Sequence, residues 1–373
     1  MHAQSRRVAG FWLIVICAIS FFSASSVVAL LLQRAGVADK DIVDAKYRQA
    51  IADPRVNLIF LGASLVDMGF NPVEFDAATR MRGQCTYSYN LGIGGMTIPE
   101  VLALLKRLQA SNHVRYILLA PTFWLLDAGR FPNSIRSIDY FDLPNALTFA
   151  AFVASFRKLP SSVEQEAFGS NIAIATFRHY TNIGLVRLLL TTKRNKYYFE
   201  YNFWEEFQRQ TQLRGQSPSD RSNYSSGEIE AYQIGLRQYA DERERLLAGE
   251  PAARSQMNEY LPDDLFAFFM RAVDIARSIT PNVIAVQPPT TGFVQFEIAF
   301  VARLRSSIVR GPLFLDFSDS REYPELFEAG NRHDGVHLNA RGAVIWSRLL
   351  ADRFAELIKR GVVQAPDANA CAG

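Results

Sequence analysis

A serine in Gly62-Ala63-Ser64 and the run Asn331-Arg332-His333-Asp334-Gly335-Val336-His337-Leu338-Asn339 contain the residues whose types and spacing can do chemistry together. A serine hydroxyl is a poor nucleophile at neutral pH. It needs an imidazole to take its proton, and the imidazole needs a carboxylate to fix its tautomer and stabilise its charged form. Asp334 and His337, three apart in a turn, can face one another while the ring reaches Ser64. Each motif alone is weak: a serine after a strand commonly caps the next helix, and a histidine before a helix is commonly a surface residue. The G-x-S-x-G elbow is absent, because Val66 stands at its fifth position.

Elements of a particular kind must hold such residues. Val56-Asn57-Leu58-Ile59-Phe60-Leu61 is short, β-branched and apolar and breaks at Gly62, as a strand buried on both faces does. Tyr116 to Leu119, Asn282 to Val286 and Leu313 to Phe317 behave alike, and helical patterns run over Pro99–Ala110, Asp263–Ile279, Val294–Val309 and Asn339–Lys359, with Asn339 a cap for the last. Strands alternating with helices predict an α/β domain with a mostly parallel sheet. Ser64 would then stand at the C-terminal end of a strand, where open α/β sheets hold ligands.

The N-terminus predicts a membrane anchor. From Val8 to Leu32 no residue is charged, a run of 25, behind Arg6 and Arg7; about 20 apolar residues suffice to span a bilayer. The positive-inside rule keeps the N-terminus in the cytoplasm and sends the rest across. A cleaved signal peptide is the alternative, and both put the main domain outside the cytoplasm. The expected organisation is an anchor over 1–34, a stalk over 35–55, an α/β domain over 56–360 and a tail over 361–373. The domain is interrupted at about 130–262 by a mostly helical insertion. That insertion holds the aromatic cluster Tyr197 to Trp204 and a polar stretch, Arg214 to Gly227, read as an exposed loop. The aromatic cluster suits a lid, a sugar-stacking wall, a surface on lipid headgroups or an ordinary core helix.

Composition narrows the function. Forty Lys and Arg stand against 37 Asp and Glu; without Arg6 and Arg7 the balance is about +1 (38 minus 37), so nucleic-acid binding has no electrostatic basis. Three cysteines, Cys17, Cys85 and Cys371, fit no metal motif, and both Cys85 and Cys371 are expected free. Asp67 is expected to be a helix-start residue, with Asp316 and Asp319 as reserve carboxylates.

Taken together, G-x-S after the first strand and D-G-V-H-L before the last helix resemble the SGNH (GDSL-type) hydrolase superfamily over about residues 56–128 and 280–358. Asn90-Leu91-Gly92-Ile93-Gly94-Gly95-Met96-Thr97 is similar to that superfamily's glycine block. The resemblance implies a three-layer, flavodoxin-like sheet, with Ser64, Asp334 and His337 catalytic and the N–H groups of Ser64 and Gly95 in the oxyanion hole. The family's third block departs: Leu119-Ala120-Pro121-Thr122-Phe123-Trp124 has no Asn, and Thr122 is the candidate replacement donor. This pattern resembles the divergent membrane-anchored branch that O-acetylates exopolysaccharides. The implied activity is acyl-ester hydrolysis or O-acyl transfer on a cell-envelope or secreted polysaccharide, with no metal or other cofactor and with a membrane acyltransferase as a further partner. A non-catalytic glycan-binding scaffold and a lipid-active esterase are the alternatives.

Overall fold

In the computed structural model, the described residues are 2–34, 42–122, 212–217, 219, 225–248, 263–291, 294–306 and 313–366, with a few helical positions between 143 and 177. The expected aromatic cluster over 197–204 and Cys371 lie outside them. The chain divides into two units, residues 1–45 with 126–204 and residues 46–125 with 205–373.

The first unit carries α1, His2–Arg34, on which Trp12, Leu13, Ile16 and Ile19 are exposed. Phe21 stacks on Phe177, centroids 6.4 Å apart. Among the described residues no helix is long and apolar enough to cross a membrane; the crossing expected over residues 8–32 rests on the sequence.

The second unit is built on five parallel strands, β1 (Leu58–Gly62), β2 (Ser88–Gly92), β3 (Tyr116–Leu119), β4 (Val283–Gln287) and β5 (Leu313–Asp316), in the order β2-β1-β3-β4-β5. Leu58 and Phe60 alternate with Ile59 and Leu61 along β1, and all four are fully buried; a strand covered on both faces has no polar side to offer. The helices of this unit are α2 (Ile42–Ala52, shared at its start with the first unit), α3 (Ser64–Gly69), α4 (Pro72–Met81), α5 (Ile98–Leu108), α6 (Ser226–Leu247), α7 (Asp263–Ile279), α8 (Val294–Ser306) and α9 (Ala340–Lys359). On one face α4 packs on α9, and Phe60, Phe75, Trp346, Leu350 and Phe354 share one core. On the other, α5 packs on α7. The five parallel strands and flanking helices are the α/β architecture expected.

Three features of the structure lie at the expected boundaries. Residues 46–52 belong to the sheet's unit rather than to a stalk: Lys46 and Ala50 are buried, and Tyr47 donates to the Arg107 carbonyl at 3.0 Å. The insertion is not one block, because residues 205–262 return to the sheet's unit, where α6 buries Tyr239 against Phe327. The tail starts later than 361, since Val363 is buried and the Gln364 carbonyl accepts from Tyr116. The strand β2 escapes sequence reading because Ser88-Tyr89-Asn90 lacks an apolar run, yet all five of its residues are buried. Cys85 is disulfide-bonded rather than free, while Cys17 is free.

Candidate active site

The chain turns from β1 to β2 on one side and onward to β3 on the other, so strand order reverses between β1 and β3. Ligands of open parallel sheets bind beyond the carboxyl ends of the strands at such a point. Ser64 stands there as the first residue of α3, with Ala63 at the N-cap position. It is therefore not a capping serine, and its hydroxyl is turned to a different partner. Helix-start N–H groups lack intrahelical acceptors, which leaves the Ser64 N–H available to a bound group.

That partner is His337, whose Nε2 lies 2.8 Å from Ser64 Oγ. The Nδ1 of the same ring lies 3.0 and 3.1 Å from the two carboxylate oxygens of Asp334. A carboxylate only accepts, so Nδ1 carries the proton and Nε2 faces the serine as an acceptor. Asp334 is itself fixed, because Oδ1 accepts from the backbone N–H of Val336 and of His337, both at 2.7 Å. Burial pushes the Asp334 carboxyl up, but the hydrogen bonds and charge of His337 and the Val336 N–H outweigh burial and hold it well below the usual carboxylate range. The three side chains form one continuous relay from carboxylate to hydroxyl, the arrangement that converts a serine into a nucleophile.

The loop carrying this relay is anchored by a residue that sequence reasoning missed. Arg332 is fully buried and donates to the carbonyls of Pro289 at 3.1 Å and Gly335 at 2.8 Å, tying the turn with Asp334 to the segment after β4. Asn339 caps α9, its Oδ1 accepting from the Gly342 N–H at 3.0 Å, so the helix start fixes the other end of the loop.

The other two expected oxyanion donors lie beyond the ends of the strands that flank β1. Gly95 sits in the turn after β2, with φ of +64°, a conformation glycine adopts without steric cost. Thr122 lies three residues past the end of β3 and is buried. Gly92, at the end of β2, lies so close to α3 that a Cβ would meet the Asp67 nitrogen at 2.3 Å. Asn90, also unread from the sequence as a site residue, holds that approach: its Nδ2 donates to the Val66 and Phe70 carbonyls, both at 2.7 Å, and its Oδ1 accepts from the Gly92 N–H at 2.8 Å. The sequence carries no signal for this role, because β2 lacks the apolar run that would announce a buried strand.

The stretch read as an exposed loop is in part a strap across these elements. The Arg214 carbonyl accepts from the Asn90 N–H at 2.9 Å, the Ser217 N–H donates to the Asp67 carbonyl at 2.9 Å, and the Ser219 carbonyl accepts from the Ala340 N–H at 2.7 Å. Ser219 Oγ is also 2.7 Å from His333 Nδ1, so His333 faces the strap while His337 faces Ser64. Arg214 pairs with the buried carboxylate of Asp76. A Gly/Ser/Pro-rich stretch signals a turn, but not that its backbone finds partners on a sheet edge.

The remaining carboxylates are engaged elsewhere. Asp67 does lie in the first turn of α3 as expected, and it pairs with Lys46. Asp316 and Asp319 both receive the guanidinium of Arg243, at 2.7 and 2.6 Å, and have no part in the relay. Among the described residues no group of three or more His, Cys, Asp or Glu is placed to hold a metal ion. No family model and no curated protein matches this chain.

Proposed function

We propose that this chain is a serine-dependent acyl-ester hydrolase or O-acyltransferase of SGNH type, acting on an O-acylated, in the first instance O-acetylated, cell-envelope or secreted polysaccharide. The carrying observation is the Asp334–His337–Ser64 relay, with 2.8 Å from ring to hydroxyl, at the reversal point of a parallel sheet whose order matches the flavodoxin-like arrangement.

In this reading His337 Nε2 takes the hydroxyl proton as Ser64 Oγ bonds to the ester carbonyl carbon. The developing oxyanion is met by the N–H groups of Ser64 and Gly95, with Thr122 as a side-chain donor. His337 then returns the proton to the departing alkoxide, leaving an acyl-serine. Water or a sugar hydroxyl, deprotonated by the same ring, resolves it, and Asp334 stabilises the imidazolium in both halves. No step calls for a metal or organic cofactor.

The anchor belongs to this reading. Residues 8–32 form an uncharged run behind Arg6 and Arg7, exposed Trp12, Leu13, Ile16 and Ile19 are what a bilayer would cover, and a bonded Cys85 fits an oxidising compartment. The N-terminus is then cytoplasmic and the sheet periplasmic or extracellular. A reporter enzyme active only outside the cytoplasm, fused after Lys359, is expected to be active, with the protein staying in the membrane after a high-salt wash; a soluble, processed product overturns the anchor.

Acceptor dependence tests the chemistry. With p-nitrophenyl acetate as donor, nitrophenol release should depend on Ser64, and an added oligosaccharide should accelerate it while acetate appears on the sugar. Release indifferent to acceptor makes the protein an esterase, and release unchanged in Ser64→Ala sinks the proposal.

A further inference from the structure

Lys46 is 1% exposed, a burial that costs an ammonium several kcal/mol unless its charge is matched. It is matched twice: Nζ donates to Asp67 Oδ1 at 2.6 Å and to the Gly92 carbonyl at 2.7 Å. These acceptors belong to the two elements that must stay in register for acyl transfer. Asp67 lies three residues after Ser64 on the single turn of α3, and Gly92 ends β2, from which the turn to Gly95 departs. Asp67 Oδ1 accepts also from Ser217 Oγ at 2.9 Å, so the strap converges on the same carboxylate.

On the proposed acyl-transfer reading, we infer that Lys46 is a positioning residue, holding the Ser64 turn of α3 and the Gly92–Gly95 turn at a fixed separation through Asp67 and the Gly92 carbonyl. Asn90 ties α3 to β2 through its amide; Lys46 clamps the same two elements by charge. The hydroxyl of Ser64 and the N–H of Gly95 must bear on one carbonyl group, and a misplacement of about 1 Å in such an arrangement costs roughly 10²-fold in rate. Lys46 lies in no sequence motif and reaches the site only because α2 packs on the sheet's unit.

The test compares Lys46→Met, near in volume but uncharged, with Tyr47→Phe, which removes the neighbouring hydrogen bond of α2 to the Arg107 carbonyl and touches neither Asp67 nor Gly92. In full-length protein Lys46→Met is expected to lower kcat by about 10- to 10²-fold with KM nearly unchanged, and Tyr47→Phe to leave kcat alone. The double variant with Asp67→Asn should lose no more than the worse single, because the two act as one unit. Amide hydrogen exchange in peptides covering residues 64–70 and 90–97 should accelerate in Lys46→Met and not in Tyr47→Phe. That readout needs no substrate: unchanged exchange overturns the positioning role even if the chain turns over no ester. Changed exchange with unchanged kcat in an active enzyme, a rise in KM alone, or equal losses in both variants also overturns it.

Discussion

Replacing Asp334 by Asn changes a single atom, and the surrounding hydrogen bonds dictate the result. Two backbone N–H groups, of Val336 and His337, converge on Asp334 Oδ1 at 2.7 Å each. The amide oxygen must take that position, since turning the amide over would set its NH2 against two donors at about 1–3 kcal/mol each. A preference of at least about 2 kcal/mol keeps the flipped amide roughly thirtyfold rarer. In the favoured orientation the NH2 stands where Oδ2 now lies, 3.0 Å from His337 Nδ1. Nδ1 then meets a donor at 3.0 Å, against an amide oxygen at 3.1 Å that already accepts two backbone N–H groups, so the tautomer with the ring proton on Nε2 is favoured and Nε2 presents a donor to Ser64 Oγ instead of a base. The expected loss in kcat is at least about thirtyfold, reaching about 10⁴ where the wrong tautomer is complete, as in serine proteases carrying the same change. The assay is steady-state hydrolysis of a p-nitrophenyl ester, with KM little altered because Asp334 contacts the ring and not the substrate. The two backbone bonds survive, so the thermal midpoint should move little. A kcat within about threefold of wild type in a folded variant would refute the tautomer argument and with it the role of His337 as base.

Three further outcomes follow from particular contacts. Gly95→Ala forces a side chain onto φ of +64°, at about 1–2 kcal/mol, and is expected to lower kcat, whereas Gly94→Ala meets open space and should be neutral; kinetics and thermal melts of the pair check this. Glu297 is buried, neither of its carboxylate oxygens has a hydrogen-bond partner, and burial drives its pKa well up against the opposing charge of Arg332. Its folded-state pKa exceeds the unfolded one, so its contribution is present at low pH and lost as pH rises above about 4.3. Denaturant melts should therefore find Glu297→Gln gaining on wild type from pH 4 toward neutrality. The depressed Asp334 has the opposite sign, its contribution present above about 3.9 and lost as pH falls below that value. Cys85 is expected to resist alkylation until reductant is added, and reduction to cost about 2–4 kcal/mol of stability; ready alkylation in denatured, unreduced protein would contradict the bond.

What the sequence made legible was what depends on short-range pattern. Runs such as Leu58 to Leu61 announce buried strands because both faces are covered, and Ser64, Asp334 and His337 stand out because nucleophile, base and orienting acid are few in kind and fall at element ends. What stayed hidden depends on long-range pairing. Nothing local marks Lys46 or Arg332 as a buried cation, because the carboxylate and the carbonyls that receive them are brought there by the fold. Asn90 disguised β2 for the same reason: an amide in a strand core is tolerable only if all its hydrogen bonds are met, and here its partners are the α3 carbonyls and the Gly92 N–H. The polar stretch at Arg214 was a fair turn signal, but its backbone pairs with the edge of β2, and no composition rule predicts that. Cys85 reads as an isolated thiol because its bond, too, is a matter of tertiary structure.

Covalent capture reads Ser64 as the nucleophile and His337 as its base without knowledge of the substrate. Full-length protein in detergent, treated with a fluorophosphonate and digested, should carry the adduct on the peptide containing Ser64 by mass spectrometry. Ser64→Ala should carry none, and His337→Ala should react at least about 10²-fold more slowly. An adduct of equal yield in folded Ser64→Ala, or none at all in the folded wild type, would rule out Ser64 as the nucleophile.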